Sequence, residues 1–203
     1  MSKPGSLRII GGVWRRHLLP IAPVEGLRPT PDRVRETLFN WLGQDCTGMS
    51  VLDLFAGTGA LGFEAASRGA SPVVLVESHR AVAAQIKLNM LKLLPKWQLD
   101  GPAPDLLLDN GDVLVALRRL SNTGQRFDLV ALDPPFNSDW LAKTLPLVPQ
   151  VLKPGGLVYV EWHADLFKNP SELAGLLGGT QIDTLRHLKA GQVHAHLFAL
   201  PAL

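Results

Sequence analysis

A chain of 203 residues, 46% apolar and 19% charged, has the size and composition of one globular domain with an ordinary core, which excludes both a disordered tail and a staple-dependent miniprotein. Its single cysteine, Cys46, excludes an internal disulfide and leaves no basis for a cysteine metal site; with no apolar leader-like stretch and no run of about 18 apolar residues, a cytoplasmic chain without membrane contact is expected. The net charge of +2 is unevenly spread, because residues 1–20 hold Lys3, Arg8, Arg15 and Arg16 with no acid while the remainder holds 16 basic and 18 acidic groups.

That asymmetry suits a polyanion touching one end of the molecule, although on charge alone a solvated basic arm fits as well. In chain order, residues 7–19 read as two short strands around Gly11-Gly12, a basic hairpin carrying Trp14. A helix then opens at Thr30-Pro31-Asp32, with Thr30 at the N-cap, Pro31 in the first helical position and Val34, Leu38, Trp41 and Leu42 as its apolar stripe. Residues 1–43 are thus expected to be a small appendage to a main domain over 44–203.

From residue 51 the pattern becomes repetitive. Apolar runs at 51–54, 73–76, 106–108, 129–132 and 157–160 show no polar face, as parallel strands covered by helices do. Helical spacing fills 60–68, 80–94, 113–120 and 140–152, so repeated βα units and a doubly wound α/β sheet follow. Lys153-Pro154-Gly155-Gly156 reads as a turn that ends a helix and launches a strand. Residues 181–188 and 194–200, separated by Lys189-Ala190-Gly191-Gln192, are expected to be antiparallel neighbours, since so short a connection permits nothing else.

Asp53-Leu54-Phe55-Ala56-Gly57-Thr58-Gly59-Ala60-Leu61-Gly62 follows the first buried strand and opens a helix. Gly57, Gly59 and Gly62 match the dinucleotide-binding glycine pattern, a weak signal by itself. Asp53 decides between ligands: it would repel a pyrophosphate but take the ammonium of an amino acid, which favours S-adenosylmethionine over a nicotinamide cofactor. Glu77, ending the second strand, is placed to accept two ribose hydroxyls. Asp112, after the third, would accept from the adenine amine, although helix capping explains an aspartate there nearly as well. The cofactor site is therefore expected over Asp53, Phe55, Ala56, Gly57, Thr58, Gly59, Glu77, Ser78, Asp112, Val113 and Asp133. No phosphate-binding lysine follows the glycines, and the six histidines lack metal-ligand spacing; His194 and His196 share a strand face and read as structural, so no metal is expected.

The reacting end is Asp133-Pro134-Pro135-Phe136, at the end of the fourth buried strand. Consecutive prolines fix φ and remove two N–H donors, leaving acceptors without competing donors. An exocyclic aromatic amine needs acceptors, because its lone pair is delocalised until both N–H groups are bound and the nitrogen is pyramidalised. The Asp133 carboxylate and the Pro134 carbonyl could do this, while Phe136 stacks on the base for about 1–3 kcal/mol. No strong general base is required, since the methylated aryl ammonium loses its proton readily.

DLFAGTGALG, the acid Glu77 and DPPF together form the amino-methyltransferase pattern. Beyond it, LRIIGG and its basic continuation at 7–16, GLRPTPDRVRETLFNWL at 26–42 and KAGQV at 189–193 closely resemble RsmD-type 16S ribosomal RNA guanine-N2 methyltransferases over nearly the whole chain. The resemblance implies a Rossmann-like seven-stranded sheet, mostly parallel with an antiparallel C-terminal strand. It also implies methyl transfer from S-adenosylmethionine to N2 of a guanine, position 966, of 16S rRNA on the assembling small subunit; a monomer is expected. Arg28-Pro29-Thr30 would close over the methionine end of the cofactor, and Lys3, Arg8, Arg15, Arg16 and Lys189 would contact RNA. One departure is Trp14-Arg15-Arg16-His17, where a glycine within the basic stretch is expected. By its residues alone the tetrapeptide serves an adenine-N6 methyltransferase acting on DNA or RNA equally well.

Overall fold

The computed structural model describes residues 5–97, 101–136, 138–177, 179 and 182–200; Lys3, and Gln181 at the start of the strand expected over 181–188, lie outside the described residues. The chain divides into two compact units, Met1–Asp112 and Val113–Leu203.

In the first unit, β1 (Ser6–Arg8) pairs antiparallel with β2 (Leu18–Pro20), and α1 (Asp32–Trp41) follows. Then come β3 (Val51–Asp53), α2 (Ala60–Ser67), β4 (Val73–Val76), α3 (Arg80–Leu93) and β5 (Leu106–Asp109). The last three strands lie parallel in the order β5-β4-β3. Every residue of β3 and β4 is buried, the outcome expected of strands apolar on both faces. Helix α2 packs so closely on this sheet that a Cβ on Gly62 would come within 2.8 Å of Leu75, which explains a residue with no side chain there.

The second unit holds α4 (Val113–Asn122), β6 (Phe127–Leu132), α5 (Trp140–Thr144), β7 (Leu152–Trp162), α6 (Pro170–Leu176), β8 (Asp183–Ala190) and β9 (Val193–Ala199). Val113, Ala116, Leu117 and Leu120 bury one stripe of α4, at the i, i+3, i+4, i+7 spacing of a helix lying on a core. The strand order is β6-β7-β9-β8; β6 and β7 are parallel, and β9 runs antiparallel to both of its neighbours. With three strands from one unit and four from the other, the chain has the expected seven-stranded, doubly wound Rossmann-like fold.

Local departures from the sequence expectation have identifiable causes. The helix expected over 140–152 is α-helical only in α5 and continues as a 3₁₀ segment, Leu145–Gln150, because Pro146 and Pro149 withhold the N–H groups an α-helix needs. Lys153-Pro154-Gly155-Gly156 is no separate turn but an irregularity inside β7. The pairing jumps there from Phe127↔Leu152 to Leu129↔Leu157, and Gly155 absorbs the bend at φ +71°. At the C-terminal hairpin the strands extend to Ala190 and Val193, which leaves the two-residue turn Gly191-Gln192.

The N-terminal hairpin is not a tight turn on Gly11-Gly12. Its strands enclose the long loop 9–17, closed by Ile9 N–H donating to His17 O and Arg16 N–H to Ile9 O. Trp14 is wholly buried at 0% exposure. It meets Trp97 edge to face at 5.7 Å. Arg16 takes up φ +69°, the left-handed conformation a glycine adopts without cost, within the stretch where a glycine was expected. At α1, Pro31 and not Thr30 occupies the N-cap, and the helix begins at Asp32. Its buried face is Val34, Arg35, Leu38 and Phe39, with Trp41 and Leu42 half-buried.

Candidate active site

The glycine loop is held from both of its sides. Gly57 and Gly59 have φ of +52° and +79°, so the chain reverses between β3 and α2 through conformations that L side chains resist. Ala56 N–H donates to Val76 O at 2.9 Å, tying the loop to the end of β4. One residue further along, Glu77 accepts from Gly57 N–H at 2.9 Å and from His79 N–H at 2.6 Å. The glycine loop and the strand-end acid are thus in direct contact, and the carboxylate is fixed by two backbone donors. Asn110 Nδ2 donates to Glu77 O at 2.8 Å and ties the end of β5 into the same cluster. Asp53, 1% exposed, accepts from Gly62 N–H at 3.1 Å and so serves one of the open N–H groups at the start of α2. Phe55 is half-buried, Ala56 and Thr58 are buried, and Ser78 is exposed. Asp112 is exposed immediately before the buried Val113.

The N-terminal segment is joined to this loop by a buried charge cluster that sequence reasoning missed. Glu64 on α2, 0% exposed, accepts from Ile10 N–H at 2.8 Å and Gly11 N–H at 2.7 Å, and it pairs with Arg35 at 3.2 Å and Arg68 at 2.9 Å. Arg35, equally buried, also donates to Thr30 O, Arg8 O and Asp32. Burial, which alone would raise it, is outweighed at Asp32 by Arg8 and Arg35, so this carboxyl titrates below its ordinary value. The signal available was Glu64 itself, the one charge in the otherwise small and apolar α2. Ser67 binds the same loop, accepting from Trp14 N–H and donating to Gly11 O. Between this segment and α3 lies a shallow apolar cleft, bordered by Pro20, Ile21, Leu27, Thr58, Val82 and Ile86, beside Gly57. Arg28 is exposed, Pro29 half-buried and Thr30 buried, directly after Leu27.

In the second unit, the tetrapeptide continues from β6, whose last four residues are buried. Asp133 is half-buried, Pro134 buried, Pro135 exposed and Phe136 half-buried. The Phe136 ring stands edge-on to Trp162 at 6.1 Å and to His163 at 6.3 Å, and those two rings lie 4.6 Å apart. This aromatic group was not anticipated, because it depends on the parallel register of β6 with the end of β7. The same register sets Leu132 against Val160, so Asp133 and Glu161 come next along their strands. The buried Tyr159 hydroxyl donates to Glu161 at 2.9 Å; burial first, then Glu161 and Asp133, hold it well above the ordinary tyrosine range, so it remains a donor at neutral pH. A nucleophilic role for Cys46 is excluded: it is buried, and burial pushes its thiol up to about 11.

Arg15, Arg16 and Lys189 are exposed. Arg8 is exposed too but pairs with Asp32 at 2.6 Å, so its charge is partly neutralised. No described helix is long and apolar enough to cross a membrane.

Residues 7–198 match the family described as conserved hypothetical protein 95. Ribosomal RNA small subunit methyltransferase D of Haemophilus influenzae is 42% identical over 163 residues, spanning 79% of this chain and 81% of that protein. Its Escherichia coli counterpart is 41% identical over 168 residues, 79% of each chain. This chain belongs to the ribosomal RNA small subunit methyltransferase D family. Among solved structures, Escherichia coli yhhF superposes with a TM-score of 0.76 at 37% identity, covering 98% of this chain and all of that one. The Thermus thermophilus 16S rRNA N2 G1207 methyltransferase RsmC, solved with AdoMet and guanosine, superposes with a TM-score of 0.67 at 25% identity over 98% of this chain and half of its own.

Proposed function

We propose that this chain transfers a methyl group from S-adenosylmethionine to the exocyclic N2 of guanine 966 of 16S rRNA in the assembling small ribosomal subunit, working in the cytoplasm as a monomer. The observation that carries the chemistry is the placement of Asp133 and Pro134 at the end of buried β6, acceptors with no proline N–H to compete, beside the ring of Phe136. N2 of guanine is preferred over N6 of adenine because the relatives are named for small-subunit rRNA and RsmC for an N2 guanine.

The first unit suits this cofactor. Gly57 has nothing closer than 3.6 Å where a Cβ would stand, Glu77 is a carboxylate fixed at a strand end, and the neighbouring cleft is apolar. When bound, S-adenosylmethionine supplies a methyl on an electron-poor sulfonium with a neutral thioether as leaving group. Glu77 accepts the ribose hydroxyls, Asp53 the ammonium and Asp112 the adenine amine, and Phe55, Ala56, Gly57, Thr58, Gly59, Ser78 and Val113 form the rest of the cradle. Arg28, Pro29 and Thr30 cover the methionine end. Asp133 and the Pro134 carbonyl accept both N–H groups of the guanine amine and direct its lone pair at the methyl, while Pro135 keeps the turn stiff and Phe136 stacks on the base. Arg15, Arg16 and Lys189, with Arg8 and Lys3, hold RNA phosphates, and the ribosomal particle supplies much of the selectivity.

The test is mass spectrometry of nucleosides from 30S particles of a strain lacking the enzyme, treated with wild-type or Asp133→Ala protein. N2-methylguanosine should rise above its level in untreated particles with wild type alone, while calorimetry shows that both proteins bind S-adenosylmethionine. N6-methyladenosine, or full activity of the variant, would overturn the assignment.

A further inference from the structure

Besides the tetrapeptide, the second unit gathers four ligand-type side chains. Asp165 in the loop after β7, His187 on β8, and His194 and His196 on β9 each turn one ligand atom into a common space, all within 4.8 Å of one another. We propose that these four residues bind a divalent transition-metal ion, zinc foremost, and that the ion clips the loop after β7 to the β8–β9 hairpin.

Strand geometry builds the cluster. His194 and His196 stand two apart on one face of β9, and the antiparallel register sets His187 directly across from His196. Two atoms that each ligate a tetrahedral zinc at about 2.0–2.1 Å lie roughly 3.3–3.4 Å apart. The separations here bracket that value: His187 Nε2 is 2.9 Å from His194 Nδ1 and 3.9 Å from Asp165 Oδ1, and His196 Nε2 is 3.5 Å from the same oxygen. Three imidazoles and one carboxylate are a donor set for zinc and its neighbours, not for magnesium or calcium.

The ligands are also oriented from behind. His196 Nδ1 faces Val160 O at 3.3 Å, which leaves Nε2 as the coordinating nitrogen, and Asp165 accepts from Phe167 N–H at 3.1 Å. Phe167 packs edge-on to His196 at 4.9 Å. Leu166 N–H now donates to His196 Nε2 at 3.0 Å and would give way to the ion, as would the proton shared by His187 and His194. His196 is buried while the other three side chains are partly open to solvent, so an ion has a way in.

Metal-stripped full-length protein titrated with zinc chloride should take up one equivalent with a dissociation constant in the micromolar range or below, unaffected by millimolar magnesium, and its melting temperature should rise. The His187→Gln/His194→Gln double variant, which spares the buried His196, should bind at least tenfold more weakly and lose the zinc-dependent melting shift. Asp165→Asn is the second variant should the double one misfold. Cobalt(II) should develop visible absorption typical of a four-coordinate site in wild type alone. Absence of one-equivalent uptake by wild type, or uptake of equal strength by whichever variants are folded, would overturn the site. Neither outcome bears on methyl transfer.

Discussion

The glycine loop of the first unit and the tetrapeptide 133–136 of the second both leave the carboxyl end of a buried parallel strand, yet they are kept in shape by different means. Gly57, Ala56 and Gly62 each give an N–H to a neighbouring strand end or its acid, so the loop owes its shape to a hydrogen-bond web that reaches the N-terminal segment through Glu64. The tetrapeptide has two prolines that cannot donate; covalent restriction of φ and the packing of Phe136 on Trp162 and His163 do the work instead. A web shared with the fold couples loop shape to stability. A stiff turn that ends in a ring cluster can lose its chemistry with little loss of stability.

The strongest way to break this contrast is at the two carboxylates. Asp133→Ala should lower methyl transfer by about 10³-fold or more, because it removes an acceptor that positions the nucleophile, while the melting temperature stays close to wild type. Glu64→Ala should do the reverse. It takes from the buried Arg35 one of its two carboxylate partners and leaves two backbone N–H groups without their acceptor, at a cost of about 3–5 kcal/mol seen in chemical denaturation. If Asp133→Ala proved the more destabilising of the two, the contrast would fail.

Phe136→Ala is the next largest. It should weaken the RNA substrate by about 1–3 kcal/mol, read as a rise in KM larger than any fall in kcat. Cofactor affinity measured by calorimetry should not move.

Much of this was legible from local pattern. Strands buried on both faces, such as Val73–Val76, announce themselves by unbroken β-branched and leucine runs, and the glycine loop by residues adjacent in sequence. What escaped depends on partners far apart along the chain. Glu64 meets Gly11 across 53 positions, and Trp14 reaches Ser67 across the same distance, so neither contact leaves a periodic trace. His187 and His196 become neighbours only through strand register, and for that reason three histidines without ligand spacing converge with Asp165. The helix expected over 140–152 failed for a local reason: apolar spacing outweighed Pro146 and Pro149, which end α-helical pairing.

Arg16 offers the finest discrimination between shape and chemistry, because its backbone and its side chain serve opposite ends. Its φ of +69° costs a non-glycine residue roughly 1–2 kcal/mol, while a glycine there would give back about 0.4–1 kcal/mol through a more flexible unfolded chain. Arg16→Gly should therefore stabilise the protein by up to about 1 kcal/mol. The same change removes an exposed cation, so RNA binding should weaken and its logarithmic salt slope should shrink by about 0.7–0.9. Arg16→Ala separates the two effects, since it loses the charge but keeps the strained φ; binding should fall as in the glycine variant with no gain in stability. If both variants bound RNA as tightly as wild type, Arg16 would be a residue of the turn alone, and the positive charge of the loop would rest on Arg15.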